Sequence, residues 1–335
     1  SGFHQAELEE ADAAKTAFRT HRGLYEYVRL PMGISASPAI FQRLMVKVLQ
    51  PVLDRGGVYV YIDDVGQAAN SIDEYVEQID AICKKFIEVG MKFKPSKCDF
   101  LLKEMTYLGH ILSADGIRID PKTINAVMDL PDPTTQKEAC RLNGMASKMR
   151  RHIKDFAQIT KPMTDTIKGE PKSFRWTEPA AEAYTQIKTA WSTAAVLQPA
   201  VQKKPFWLEV DGSKFGLGAV LAQPDDQEKL HPVAYASRGL NKHEGNYPIS
   251  ELEMLAVIYG LRKFRWYLLN APEVHVVTDH NSLTFLAKCK EPSGHLYRWI
   301  VDIDTFRPKF HYKKGAINKV PDTLSRWRTK HEDLP

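Results

Sequence analysis

The sequence predicts a multidomain protein of mixed α+β and α/β class, and three observations support this prediction. Its 335 residues exceed the length of one average domain and fit about two or three. Strand-like runs alternate with amphipathic helices from Ser37 to Leu112, as expected for helices layered on a sheet. A second strand–helix–strand series begins at Phe206, after a helical and basic stretch. We therefore expect two sheet-containing regions separated by helices.

The first region contains two helices with recognisable start signals. Ser37-Pro38 predicts a helix with Ser37 as its N-cap and Pro38 at its first position. Ser71-x-x-Glu74 predicts a capping box at the start of the second helix. Between the two helices, Val58–Ile62 predicts a buried strand that ends at Asp63-Asp64. Further strands are predicted around Met91–Phe93, Phe100–Leu102 and Thr106–Leu112.

The remainder of the chain has a helical part followed by a new sheet. From about Asp120 to Val196 the spacing of apolar residues predicts short helices punctuated by prolines. Alternating apolar residues from Phe206 to Val210 predict a strand with one buried face, and the glycines that follow predict a hairpin. Further elements are predicted at Val233–Ser237 (strand), about Ser250 to Leu269 (helix), Val274–Thr278 (strand), around Arg298 (helix) and Phe310–Tyr312 (strand).

Composition excludes some classes of protein without identifying a partner. Hydrophobic residues make up 43% of the chain, which is enough for ordinary cores and argues against wholesale disorder. The net charge of +5 is compatible with a polyanionic partner, although many neutral enzymes have a similar charge. No apolar run is long enough to span a membrane, so we expect no membrane association.

Asp63-Asp64, at the end of the predicted strand, is the first candidate site. Aspartate is a poor strand former, so a pair of aspartates in this position often marks only a turn. A functional alternative exists because nucleotidyl transfer uses two divalent cations bridged by carboxylates. The pair alone does not decide between these two interpretations.

The surrounding motifs resemble reverse transcriptase motifs B and C of gypsy-class LTR retrotransposons. They are Leu30-Pro31-Met32-Gly33, Ser37-Pro38-Ala39-Ile40-Phe41-Gln42 and Tyr61-Ile62-Asp63-Asp64, in family order. The resemblance implies that residues 1–116 form part of a palm, with Asp63 and Asp64 as catalytic metal ligands. It also implies that Phe3 screens out a ribose 2′-hydroxyl and that Gly33 and Gln42 lie against the template and the nucleotide. Lys97 would donate a proton to pyrophosphate, and Tyr107 and Gly109 would contact the primer end.

The opening residues resemble the end of motif A in the same family. In that motif the metal-binding Asp precedes the segment that matches Ser1-Gly2-Phe3-His4-Gln5. We therefore expect an N-terminally truncated polymerase that lacks this Asp and most of the fingers. As it stands, this chain is expected not to polymerise DNA.

Four separated carboxylates, Asp211, Glu253, Asp279 and Asp322, form the second candidate site. Each alone could be an ordinary acidic residue at a strand end or on a helix face, and Glu251 competes with Glu253. The runs that contain them resemble retrotransposon ribonuclease H: Asp211-Gly212-Ser213-Lys214-Phe215-Gly216, Glu253-Met254-Leu255-Ala256, Thr278-Asp279-His280 and Pro321-Asp322-Thr323-Leu324-Ser325-Arg326.

This second resemblance implies an RNase H-like α/β domain with a mixed sheet over residues 205–328, followed by a tail at 329–335. The four carboxylates would be catalytic and would hold two Mg²⁺ ions, with Mn²⁺ as an alternative, because such hard cations prefer oxygen ligands. One cation would activate water for attack on RNA in an RNA–DNA hybrid, and the other would stabilise the leaving oxygen.

Residues 117–204 resemble the family's thumb and connecting segment. This stretch carries a compact basic group, Lys148, Arg150 and Arg151. A basic helix is usually only a solvated face, but in a thumb it would contact phosphates without reading sequence. We therefore expect these three side chains to bind nucleic acid.

The resemblance implies RNA template, DNA primer, RNA–DNA hybrid and dNTPs as partners. It also implies the protease and integrase parts of a Pol polyprotein, and a cytoplasmic virus-like particle as the location. One alternative is a non-catalytic nucleic-acid-binding remnant or a domesticated copy, although both acidic sets are intact. A second, an integrase-type enzyme, would need three acids and would leave the palm motifs unexplained. The sequence gives no indication of the oligomeric state.

Overall fold

The computed structural model of the chain describes residues 2–278 and 295–312. The described residues fall into two compact units that divide after Leu102. No helix within these ranges is long and apolar enough to cross a membrane.

The first unit is built around two long helices and a β-hairpin. Phe41, Met45 and Leu49 recur at helical spacing and are buried against Ile82 and Phe86 of the other helix. The elements are α1 (Glu10–Ala13), β1 (Phe18–Thr20), β2 (Gly23–Tyr25), α2 (Ser37–Leu53), β3 (Val58–Tyr61), β4 (Asp64–Gln67) and α3 (Ile72–Glu88), with β1–β2 and β3–β4 as antiparallel pairs.

Of the two predicted N-caps in this unit, one is confirmed and one is wrong. Ser71 is the N-cap of α3, and its hydroxyl accepts a hydrogen bond from the Glu74 backbone N–H at 3.2 Å. Ser37 is not the N-cap of α2, because Ala36 occupies that position. The buried Ser37 hydroxyl instead donates to the carbonyl oxygen of Pro31 at 2.8 Å. This contact holds the preceding loop against the first turn of the helix.

Three strand predictions for this unit need correction. The strand before Asp63 is not buried throughout, because β3 belongs to a two-stranded hairpin in which Tyr59 and Tyr61 are exposed. The strands predicted at Met91–Phe93 and Phe100–Leu102 are wrong, since neither segment pairs with a strand among the described residues.

The second unit begins with a three-stranded antiparallel sheet and a helical layer. The strand predicted around Thr106–Leu112 is two strands, because a turn with positive φ at Leu108 and Gly109 splits it. The helical prediction for the next stretch is confirmed. The elements are β5 (Glu104–Tyr107), β6 (His110–Ser113), β7 (Gly116–Ile119), α4 (Pro121–Met128), α5 (Gln136–Lys148), α6 (Phe156–Ile159), α7 (Lys161–Thr166) and α8 (Glu178–Ser192).

A five-stranded mixed sheet follows, as the sequence predicted. Its strand order is β10-β9-β8-β11-β12, where β9 is antiparallel to both β8 and β10, and β11 runs parallel to both β8 and β12. The helix predicted to Leu269 is interrupted at Phe264. The elements are β8 (Phe206–Ser213), β9 (Gly216–Pro224), β10 (Leu230–Arg238), α9 (Ile249–Lys263), α10 (Arg265–Leu268), β11 (Val274–Thr278), α11 (His295–Phe306) and β12 (Lys309–Tyr312).

The two faces of β8 differ in what they contact. Leu208 and Val210 are buried towards α9, where a side chain on Gly260 would come within 3.1 Å of both. The residues that alternate with them along the strand, including Glu209 and Asp211, are only partly buried. Because side chains alternate along a strand, Asp211 projects to the face opposite α9.

Candidate functional site

Asp63 and Asp64 lie at the turn of the β3–β4 hairpin, and both are exposed. Tyr61 pairs with Asp64 across the hairpin, so Ile62 and Asp63 form the turn itself. Ile62 has a positive φ of 54°, which is rare for a β-branched residue and costs conformational energy. Neighbouring side chains therefore have to hold this turn in place.

Gln42 of α2 supplies that restraint. Its side-chain oxygen accepts a short hydrogen bond from the Ile62 backbone N–H, and its amide nitrogen donates to the Val60 carbonyl oxygen at 3.3 Å. The segment around Phe3 lies on the same turn: a side chain on Gly2 would stand 3.1 Å from the Asp63 Cβ. The Phe3 ring packs on Phe41, with centroids 5.2 Å apart.

The structure thus brings Phe3, Gln42 and Asp63 together. Gly33 lies in an exposed turn before α2 with a φ of 90°, and Lys97 ends an exposed 3-10 turn, Pro95–Lys97. Neither belongs to the contacts that hold the β3–β4 turn. The nucleotide and pyrophosphate roles given to these two residues stay predictions.

Tyr107 and Gly109 lie in the β5–β6 hairpin of the second unit. Tyr107 pairs with His110, and Gly109 adopts a φ of 81° in the turn between them. A side chain on Gly109 would come within 3.2 Å of the Lys148 ammonium, so the exposed Lys148 side chain reaches this turn.

A pair of histidines lies beside the same basic group. The His110 and His152 rings stack with centroids 5.1 Å apart, and Nε2 of His152 is 3.2 Å from Nδ1 of His110. Burial lowers the pKa of His152 to about 4, and the positive charges of His110 and Arg151 act in the same direction. Burial also lowers the pKa of His110, assisted by Arg151 and Lys148.

Arg150 is engaged within the fold. Its guanidinium donates a short hydrogen bond to the carbonyl oxygen of Ser237 on β10 and lies 5.6 Å from the centre of the Phe156 ring. Lys148 is exposed and Arg151 is half-buried. Of the three basic side chains predicted to contact phosphate, Lys148 is therefore the most accessible.

Glu253 reaches the end of β8 at Gly212, the residue after Asp211. The Glu253 side chain is only 5% exposed, and its Oε2 accepts a hydrogen bond from the Gly212 backbone N–H at 3.3 Å. A side chain on Gly212 would stand 2.4 Å from the Leu252 carbonyl oxygen, so only glycine permits this approach of strand and helix. The competing residue Glu251 lies in the first turn of α9 and is half-exposed.

This donor set fits a hard divalent cation as far as the structure describes it. A buried carboxylate beside a strand-end aspartate is the type of oxygen ligand that Mg²⁺ prefers. Asp279 and Asp322, the other two predicted ligands, lie outside the described residues. Within residues 2–278 and 295–312, no group of three or more acidic, histidine or cysteine side chains is arranged to hold a metal.

Two family models match the chain in the order predicted. The model described as "Reverse transcriptase (RNA-dependent DNA polymerase)" matches residues 1–112. The model described as "RNase H-like domain found in reverse transcriptase" matches residues 201–306. Both matches agree with the two regions of motifs in the sequence.

Curated relatives carry the same combination along nearly the whole chain. The retrovirus-related Pol polyprotein from transposon opus of Drosophila melanogaster is 37% identical over 97% of this chain and 33% of its own length. That from transposon gypsy is 35% identical over 97% of the chain and 32% of its own length. The chain belongs to the gypsy-type LTR retrotransposon Pol family, as its reverse transcriptase and RNase H-like region. It spans about a third of these relatives.

Solved structures share the fold of this Pol region. The foamy viral protease-reverse transcriptase in complex with RNA/DNA hybrid superposes with a TM-score of 0.79 at 21% identity, covering 100% of this chain and 45% of that one. The foamy viral protease-reverse transcriptase dRH in complex with double-stranded DNA gives a TM-score of 0.80 at 22% identity, covering 94% and 55%. At such identities the likeness shows the fold alone.

Sequence reasoning missed one carboxylate near the RNase H-like acids of this Pol region. Asp155 adopts a left-handed conformation with a φ of 53°, and burial raises its pKa although Lys154 opposes the shift. Its Oδ1 lies 2.7 Å from the position that a Cβ on Gly218 would take. The only signal in the sequence was an Asp before a short apolar helix, which a helix cap would explain equally well.

Proposed function

We propose that residues 205–328 hydrolyse the RNA strand of RNA–DNA hybrids, with two Mg²⁺ ions held by Asp211, Glu253, Asp279 and Asp322. The observation that carries this proposal is the hydrogen bond from the Gly212 N–H to the Glu253 carboxylate. It brings two of the four acids to one strand end, in a sheet that matches the RNase H-like family.

The chain's own groups would prepare this reaction in three ways. Asp211 and Glu253 supply anionic oxygen ligands, and the Gly212 N–H fixes the rotamer of the buried Glu253 carboxylate. The missing side chain at Gly212 lets the helix bring Glu253 to the strand. When bound, the cations supply an activated water and stabilise the departing 3′ oxygen.

We further propose that the first region acts in RNA-directed DNA synthesis as part of a longer Pol protein. Asp63 and Asp64 would be its metal ligands, with an RNA template, a DNA primer and dNTPs as substrates. The support is the restrained β3–β4 turn, which Gln42 holds through two hydrogen bonds. Palm, thumb and RNase H-like parts would span residues 1–116, 117–204 and 205–328, beside protease and integrase in a cytoplasmic virus-like particle.

The hydrolase proposal is tested on a labelled RNA–DNA hybrid with Mg²⁺. We expect the chain to cut the RNA strand and both Asp211→Asn and Glu253→Gln to abolish cleavage. Glu251→Gln is the matched control, because it removes a half-exposed carboxylate from the same helix and should leave cleavage unchanged.

Two outcomes would contradict this proposal. Equal loss in Glu251→Gln would show that the helix needs its overall charge rather than a specific ligand at Glu253. A chain that binds the hybrid but does not cut it, with Mg²⁺ or with Mn²⁺, would favour the non-catalytic binding protein instead.

A further inference from the structure

The segment at residues 150–159 packs against the RNase H-like sheet near Asp211. The Ala157 backbone N–H donates to the Ser237 hydroxyl at 2.8 Å, and Arg150 donates to the Ser237 carbonyl oxygen. Ser237 is only 1% exposed, so the contact is closed to solvent. This segment of the thumb and connection therefore contributes side chains to the surroundings of the sheet.

Asp155 is the residue of this segment that reaches β9. Its left-handed backbone, with a φ of 53°, directs the chain into α6 without a side-chain cap. The carboxylate oxygen Oδ1 lies 2.7 Å from the Cβ position of Gly218, so any larger residue there would displace it. The close contact depends on a glycine at that point of the strand.

Gly218 is the direct partner of Asp211 in the β8–β9 pair. Directly opposite residues in an antiparallel pair project to the same face, with Cβ positions about 4.5–5.5 Å apart. Adding the 2.7 Å contact places the Asp155 oxygen within roughly 8 Å of the Asp211 Cβ. Since α9 covers the other face, Asp155 approaches from the side to which Asp211 projects.

We propose that Asp155 is a positioning residue of the RNase H-like cation site, which raises the affinity for a divalent cation without being a ligand of the predicted four. This inference rests on the proposed function of that site. At an ion–carboxylate separation of roughly 8 Å, in the dielectric of bulk water, one negative charge would raise the affinity for a doubly charged ion about sixfold. Water molecules bound to the ion would donate hydrogen bonds to the Asp155 carboxylate, and these bonds would also raise the affinity for the cation.

Asp155→Asn is the decisive variant. Asparagine tolerates the left-handed conformation as well as aspartate does and has the same shape, so the backbone is kept while the charge is removed. The matched control is Asp165→Asn, which removes an aspartate of α7 whose partner is Lys168 on the surface. All proteins carry Asp63→Asn, so that the polymerase-like site contributes less to the signal.

The measurement is Mn²⁺ binding to the full chain by titration calorimetry, in the absence of nucleic acid. We expect Asp155→Asn to weaken binding by about five- to tenfold, whereas Asp165→Asn leaves it unchanged and Asp211→Asn removes it. In hybrid cleavage, Asp155→Asn should raise the Mg²⁺ concentration for half-maximal rate by a similar factor and leave the rate at saturating Mg²⁺ unaltered.

The outcomes separate this inference from the function on which it rests. Unchanged Mn²⁺ affinity in Asp155→Asn, together with loss in Asp211→Asn, would overturn the role of Asp155 and leave the site standing. Unchanged affinity in both variants would overturn the site as well. Faster cleavage in Asp155→Asn at every Mg²⁺ concentration would also overturn the role, since Asp155 would then obstruct the site.

Discussion

The stacked pair of His110 and His152 should make the second unit sensitive to acid. His152 is only 2% exposed, and burial lowers its pKa to about 4, with the charges of His110 and Arg151 adding to the effect and a backbone contact from Ala195 opposing it. Neutral rings can share a hydrogen bond, whereas two protonated rings would repel each other. We predict that His152→Phe reduces the loss of stability between pH 7.5 and pH 5.

The sign and size of this change in the free energy of unfolding follow from the pKa of His152 in the unfolded and in the folded chain. In the unfolded chain the pKa is about 6.5, so as the pH falls the unfolded state binds the proton first and the free energy of unfolding decreases. The full effect, reached below pH 4, is about 3 kcal/mol, and about 2 kcal/mol is already lost at pH 5. The pKa of His110 is lowered too, so its contribution has the same sign.

The buried carboxylate of Glu244 acts in a different pH range. Arg238 lowers the pKa of Glu244 below its ordinary value of 4.5, so Glu244 contributes stability above that value and loses it at lower pH. A comparison between pH 7.5 and pH 5 therefore avoids the titration of Glu244, and the difference between the parent chain and His152→Phe isolates the effect of His152. Tryptophan fluorescence reports on the correct unit, because all six tryptophans of the chain follow Lys103.

The assay is the melting temperature by fluorescence at the two pH values. For a unit of this size about 2 kcal/mol corresponds to roughly 4–8 °C, which is the expected extra fall for the parent chain compared with His152→Phe. His243→Gln is the control, because His243 is exposed and its removal should leave the fall unchanged. An equal fall in the parent chain and in His152→Phe would refute the reasoning.

Two further predictions concern the two acidic sites. Gln42→Ala should lower the free energy of unfolding of the first unit by about 1–3 kcal/mol and speed amide exchange at Ile62, because that N–H loses its acceptor. Gln50→Ala on the same helix should do neither. Gly212→Ala should abolish hybrid cleavage and destabilise the second unit in urea, since the new side chain would lie 2.4 Å from backbone. Gly144→Ala in α5, where the new side chain has open space, should instead raise the free energy of unfolding by about 0.5–1 kcal/mol.

The elements of the mixed sheet could be predicted because their signal is local. Phe206, Leu208 and Val210 alternate with half-buried residues, and the structure repeats that alternation along β8. Such a pattern needs no knowledge of the partner strand, since one face of the strand is buried whichever neighbour it has. The glycines after Asp211 predicted a hairpin, but they did not show that Gly212 also admits the backbone of α9.

Strand predictions failed where apolar residues have no strand to pair with. Phe93 stacks on Phe86 at 4.5 Å between ring centroids, so it packs against α3 rather than in a sheet. Phe100, Leu101 and Leu102 are all exposed, although their composition is that of a strand. A strand is stabilised by hydrogen bonds to a partner that is distant in sequence, and apolar composition alone does not show whether that partner exists.

The strand end that carries Asp211 is contacted on both faces by parts of the chain that are distant in sequence. Gly212 admits α9 and its Glu253 on one face, whereas Gly218 admits Asp155 on the other. Replacing each of the two glycines by alanine should therefore affect hybrid cleavage differently. Gly218→Ala should keep the bond between Gly212 and Glu253 and hence some hybrid cleavage, but should raise the Mg²⁺ requirement because the Asp155 carboxylate is displaced. If both replacements gave the same complete loss at every Mg²⁺ concentration, the two contacts would not be separable and the strand end would behave as one rigid unit.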